Sequence, residues 1–236
     1  KQTSISRFTS AGADAGNDGF KGYRTPSDAF SQLRESLLAK SSNQKSFTYV
    51  YVPTIDMVSH RYGPLSSSYK AEVATLDFAL KKQLIEPLAG RNDTVLLLIA
   101  DHGQRYSALE NTLWLEQHPE LTQNLFAPVT GESRVRYLHV KHDKQAAVSD
   151  YIKQNFSENF FTITKSEAMD NGLFGIPGKL LGREAEDRIG DLLLISHKDW
   201  ICRQHITNEE RLHTHTGVHA GLSRAEMLIP FLAYRF

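Results

Sequence analysis

A chain of 236 residues in which Lys+Arg and Asp+Glu balance at 27 each carries no net field that would draw it to nucleic acid or to an anionic membrane surface. Its one cysteine, Cys202, excludes a disulfide framework within the chain and a cysteine-rich zinc site. No apolar run approaches the roughly 20 residues of a membrane span and no signal-peptide core opens the chain, so a soluble cytoplasmic protein is expected, with secretion after signal removal as the alternative.

The first stretch, KQTSISRFTSAGADAGNDGFKGYRTPSD, is rich in Ser, Gly, Thr and Asp and has no sustained apolar periodicity. Residues 1–24 are therefore expected to form an irregular arm or linker without a strand, continuing from a missing N-terminal part, and residues 25–236 to form the folded domain. TPSDAFSQLRESLLAK predicts a helix with Ser27 or Asp28 as cap and Phe30, Leu33, Leu37 and Leu38 at helical spacing. SFTYVYVPTID, β-branched and aromatic, predicts a strand ending at Asp56. SSYKAEVATLDFALKKQLIEPL follows as a helix with Val73, Leu76, Leu80 and Leu84 on one face. DTVLLLIADHG reads as a strand covered on both faces of a parallel sheet, which completes a βαβ unit with a right-handed crossover.

Downstream, SALENTLWLEQHPE predicts a helix, SRVRYLHVK a strand, DKQAAVSDYIKQNF a helix, and FFTITK and GDLLLISH two short strands. NGLFGIPGKLLGREAEDR is glycine-rich and predicts a loop with a helical turn, and AEMLIPFLAYRF a helical start and a final strand.

Ligands of open α/β sheets gather beyond the carboxyl ends of the strands. Asp56 is expected there with His60 one turn on, and Asp101 and His102 at the end of the next strand, with Gly103 letting the chain turn away. Two neighbouring strands would thus deliver two Asp–His pairs to one edge, where a carboxylate is costly unless paired or metal-bound. A third cluster, RLHTHTGVHAGLS, holds His213, His215 and His219, and imidazole with carboxylate suits zinc, or manganese and iron if more oxygens join. His118, His139, His142, His197 and His205 lack such company and read as surface or core residues.

VYVPTIDMVSHRYGPLSSSYKAEVATLDFAL followed by DTVLLLIADHG resembles the metal-binding core of the alkaline phosphatase superfamily, in its nucleotide pyrophosphatase/phosphodiesterase branch. GVHAGLSRAEMLIPFL resembles the corresponding ending of related branches, including PglZ-like domains, so the likeness extends over residues 48–236. The resemblance implies an α/β fold with a doubly wound, mostly parallel sheet and helices on both faces, of which this chain is a C-terminal portion. It implies two divalent metal ions, zinc foremost and manganese as the alternative: one held by Asp56, His60 and His219, the other by Asp101 and His102 with a further aspartate and a Ser/Thr nucleophile. No strand before residue 47 ending in Asp or presenting such a nucleophile is found, so an N-terminal segment or separate chain is expected to supply it. Ala220 stands where the family usually has glycine, which leaves His215 as the weaker alternative to His219. The implied activity is hydrolysis of a phosphodiester or nucleotide pyrophosphate. The alternatives are a phosphomutase, phosphonate hydrolase or sulfatase of the same superfamily, and a catalytically silent, metal-stabilised binding or regulatory domain.

Overall fold

The computed structural model describes the backbone of residues 4–9 and 20, and backbone with side chains for residues 21–40, 45–178, 182–205 and 215–236. In chain order these give β1 (Ser4–Thr9), β2 (Phe20–Gly22), α1 (Pro26–Leu38), β3 (Ser46–Val50), α2 (Thr54–Tyr62), α3 (Ser67–Leu80) and β4 (Val95–Ile99). Next come β5 (Arg105–Tyr106), β6 (Thr112–Trp114), α4 (Pro119–Thr122), β7 (Thr130–Glu132), β8 (Val135–Leu138), α5 (Gln145–Phe156) and β9 (Phe160–Thr164). The last are α6 (Lys165–Asp170), α7 (Arg183–Arg188), β10 (Leu192–Ser196), β11 (Ile201–Arg203), β12 (Gly217–Val218), α8 (Arg224–Met227) and β13 (Phe231–Arg235). The class is α/β, and the chain divides into two compact units, Lys1–Ala100 with Pro230–Phe236, and Asp101–Ile229. Among the described residues no helix is long and apolar enough to cross a membrane.

In the first unit, α1 is capped at Thr25, two residues before Ser27 and three before Asp28, the caps expected from sequence. Pro26 lacks an N–H and its fixed φ suits the first helical position, so Thr25 becomes the cap and accepts from Asp28 N. The Asp28 carboxylate turns back to Arg24 N and Gln32 instead. Phe30 and Leu33 of α1 pack with Ala79, Leu84, Leu88 and Phe236, and with Val50 of β3 and Leu96 of β4, whereas Leu38 is exposed. α3 runs on through a π-helical turn at Lys81–Ile85, which carries Leu84 into that core.

Three expectations are corrected here. β1 and β2 lie in the stretch read as an irregular arm: β1 pairs parallel with both β2 and β3, a ladder supplied by distant residues that local periodicity does not reveal. β3 ends at Val50 rather than Asp56, because Pro53 cannot donate to a ladder and its helical backbone opens α2 at Thr54. β4 pairs antiparallel with β13, Ile99 opposite Phe231 and Val95 opposite Arg235, and it is not sealed on both faces: Leu96 turns to the core while Val95, Leu97 and Ile99 are exposed.

The second unit is built on an antiparallel sheet of order β7-β8-β10-β9. Every residue of β10 is buried. Leu192 and Leu194 join a core with Leu138, Val148, Ile152 and Phe160, and Leu193 and Ile195 join another with Ala168 and Ile189. The helix expected from SALENTLWLEQHPE is replaced by β6 between short 3-10 turns at Leu109–Asn111 and Leu115–Gln117, followed by α4. Leu113 and Leu115 are both fully buried at a spacing of two, the strand period, and β6 pairs in parallel with β11.

Candidate functional site

In the first unit, α2 carries Asp56 in its first turn and His60 in its last. Four-residue spacing puts both on one helix face, and His60 Nε2 lies 3.4 Å from Asp56 Oδ1. Asp56 in the first turn matches the helix dipole, which favours an anion there.

In the second unit, Asp101 and His102 precede β5, whose antiparallel pairing with β12 sets Arg105 opposite Val218. His219 follows Val218 directly, so this register carries it back toward residues 102–104. The His102 and His219 rings stack with centroids 3.8 Å apart and 15° from parallel. Asp101 Oδ2 lies 3.6 Å from His102 Nε2. His102 Nδ1 meets the Gly103 carbonyl at 3.0 Å; a carbonyl only accepts, so Nδ1 carries the proton and Nε2 keeps its lone pair. An imidazole oriented in this way by backbone, a second imidazole and a carboxylate are the donor types that hold zinc, and these residues fit a divalent cation.

The remaining histidines are placed otherwise. His215 lines a cavity of about 130 Å³ with Tyr106, Ser107 and Arg203. His213 lies outside the described residues. His118 bonds Tyr151, His139 bonds Thr130, and His197 meets the Glu158 carbonyl. His205 bonds Glu116 and stacks on Trp114, and His142 pairs with Asp143 on the surface.

Ala220, between His219 and Gly221, adopts φ 74°, the left-handed region that favours glycine. Gly103 is needed for a different reason than a turn: a Cβ there would lie 2.0 Å from the Ala225 carbonyl oxygen. Beneath both loops is a buried ion pair that residue patterns do not reveal. Arg134 and Glu226 are each 1% exposed, with Nε to Oε1 and Nη2 to Oε2 both at 2.9 Å. Arg134 Nη1 also donates to the Lys198 and Trp200 carbonyls, while Glu226 accepts from Gly221 N at 2.9 Å and Ser223 Oγ at 2.5 Å. Burial pushes the Glu226 carboxyl up, but bonds from Arg134, Ser223 and Gly221 outweigh it and hold the group below the usual carboxylate range. Glu226 has a sequence signal, since it closes GLSRAE; Arg134 has none, because its partner is 92 residues away.

Among solved structures, the chain shares the fold of murine ectonucleotide pyrophosphatase/phosphodiesterase 5, with a TM-score of 0.67 and 18% identity over 98% of this chain and 60% of that one. An inactive form of that protein in complex with AMP gives a TM-score of 0.69, and the human counterpart 0.66, at the same identity and coverage. The chain thus spans about 60% of the length of these relatives. No curated protein matches it. The fold is that of the alkaline phosphatase superfamily. Within it, the type I phosphodiesterase/nucleotide pyrophosphatase family matches residues 10–221, and the chain belongs to that family.

Proposed function

We propose that this chain is the metal-binding portion of a metal-dependent phosphoric ester hydrolase that acts on a phosphodiester or nucleotide pyrophosphate. The observation that carries the reading is the family match over residues 10–221, a range that includes Asp56, His60, Asp101, His102 and His219. Asp56, His60 and His219 would hold one divalent ion and Asp101 and His102 would help hold a second, with zinc foremost and manganese as the alternative. Bound there, the ions would activate an attacking oxygen and meet the negative charge that gathers on the phosphoryl group.

What this chain's residues contribute is donor orientation. The α2 spacing presents Asp56 and His60 as a unit, and the Gly103 carbonyl fixes the His102 tautomer with Nε2 as donor. A Ser/Thr nucleophile would come from polypeptide preceding these residues. The AMP complex of the murine relative favours a nucleotide-like substrate.

The experiment measures hydrolysis of a chromogenic phosphodiester with zinc, using the chain alone and with the preceding segment supplied. Feeble turnover alone, zinc-dependent turnover with the segment, and loss of that turnover in Asp101→Ala are expected. Robust turnover by residues 1–236 alone would place the nucleophile within them. Zinc binding without turnover in either arm would favour the silent, metal-stabilised domain.

A further inference from the structure

The metal reading leaves unexplained why a carboxylate and a guanidinium are sealed together inside the second unit. We propose that Glu226, clamped by Arg134, is the positioning residue that holds the His102 and His219 imidazoles in register. The proposal rests on the reading that these two histidines are metal ligands.

Glu226 engages both histidine-bearing loops. Through its main chain it reaches His102: Gly103 N donates to the Glu226 carbonyl at 2.7 Å, and the Gly103 carbonyl accepts from His102 Nδ1 at 3.0 Å. A shift of α8 therefore passes to the ring through two hydrogen bonds. The close approach of Gly103 to the Ala225 carbonyl makes that coupling stiff. Through its side chain Glu226 reaches His219: Oε1 accepts from Gly221 N, and Oε2 from Ser223 Oγ at the start of α8. Ala220 lies between His219 and Gly221 in a left-handed conformation that L-residues avoid, and the Gly221 bond holds it there. A Cβ on Gly221 would sit 2.6 Å from the Glu226 carboxylate, so the loop is shaped to this one side chain.

Arg134 makes the carboxylate a fixed point. Its two bonds to Glu226 set the plane of the carboxylate, and its Nη1 is tied to the Lys198 and Trp200 carbonyls. A buried ion pair adds little net stability over a well-packed apolar replacement, because desolvation offsets the attraction. What an apolar replacement cannot reproduce is the set of directed bonds to two loops, so the contribution of the pair is geometric.

The test uses the full chain, zinc as the probe and two readouts besides hydrolysis. One is the zinc dissociation constant, from competition with a chromophoric chelator. The other is the imidazole proton spectrum of metal-free protein, in which stacked rings move each other's carbon-bound protons upfield. Glu226→Gln keeps the shape and removes the charge; zinc affinity is expected to fall about 10–100-fold, with the His102 and His219 signals moving to unstacked positions. Ser223→Ala removes one bond to Oε2 without unpairing a buried charge, and should weaken zinc about 2- to 10-fold with the same direction of shift. It carries the test if Glu226→Gln does not fold. Leu138→Ala, a core truncation in the same unit, should lower stability while leaving zinc affinity and both rings unchanged. Wild-type affinity and unchanged imidazole signals in the folded Glu226 and Ser223 variants would overturn the proposal, as would an equal loss in Leu138→Ala. A wild-type chain that binds no zinc would overturn the metal reading instead, and the imidazole signals of the variants would still decide the positioning role.

Discussion

Two apolar strands of nearly the same composition, VLLLI in β4 and LLLIS in β10, meet opposite fates in the two units. β10 lies between antiparallel neighbours with a core on each face and is buried throughout. β4 pairs with β13, turns Leu96 to a core and leaves Val95, Leu97 and Ile99 exposed. The candidate ligands follow the same contrast. Asp56 and His60 of the first unit need only a helix to bring them together. His102 and His219 of the second unit come from distant stretches and need strand pairing and a buried ion pair. Local spacing places groups through backbone geometry alone, whereas distant groups need a shared anchor.

The comparison breaks most visibly at that anchor. Arg134→Ala leaves the Glu226 carboxylate buried and uncompensated, and should lower unfolding free energy by about 3–5 kcal/mol; denaturant unfolding measures it. A loss no larger than that of a surface substitution would show that the pair is dispensable. Next in size are the two strands. Leu194→Ala in β10 should cost about 2–5 kcal/mol, and Leu97→Ala in β4 should stay within about 0.5 kcal/mol. Equal losses in thermal unfolding would mean that the outward face of β4 is covered in solution.

Acid sharpens the contrast. The folded-state carboxyl of Glu226 sits below its ordinary 4.5, so the unfolded chain binds that proton more readily. Its stabilising contribution is therefore full above that ordinary value and is lost as the pH falls from there through the lower folded-state value. The fall in stability across this acid window should be shallower in Glu226→Gln than in wild type. A modest gain is expected at Ala220, where Ala220→Gly should relieve the left-handed backbone and raise stability by about 0.5–1 kcal/mol net of the flexibility of glycine. A destabilised variant would show that the methyl group makes contacts outweighing the strain.

Where one element's own residues decide its structure, the sequence was a good guide. α5, β8, β9, β10 and β13 form within the apolar stretches expected to hold them. The errors fall where distant residues decide. β1 depends on β3 for its ladder, β6 on β11, and the burial of β4 on what lies against it, and none of these is encoded in a local window. The α1 cap falls at Thr25 and β3 stops at Val50, ahead of the expected Ser27 or Asp28 and Asp56, because proline sets the first helical turn in one case and ends a strand in the other. The candidate ligands were legible because Asp56 with His60 and Asp101 with His102 are short-range pairs at the ends of strand-like runs, and His219 precedes a distinctive AGLS. Arg134 was not legible, since a buried arginine in SRVRY looks like any surface cation until its partner is known.

Metal content tests the central claim most directly. Elemental analysis and zinc competition on the purified chain should find tight zinc in the wild type. Metal should be lost in Asp56→Ala and weakened in His102→Ala, with His142→Ala unaffected because His142 pairs with Asp143 on the surface. Absence of tight zinc in the wild type, or as much loss in His142→Ala as in Asp56→Ala, would contradict the account.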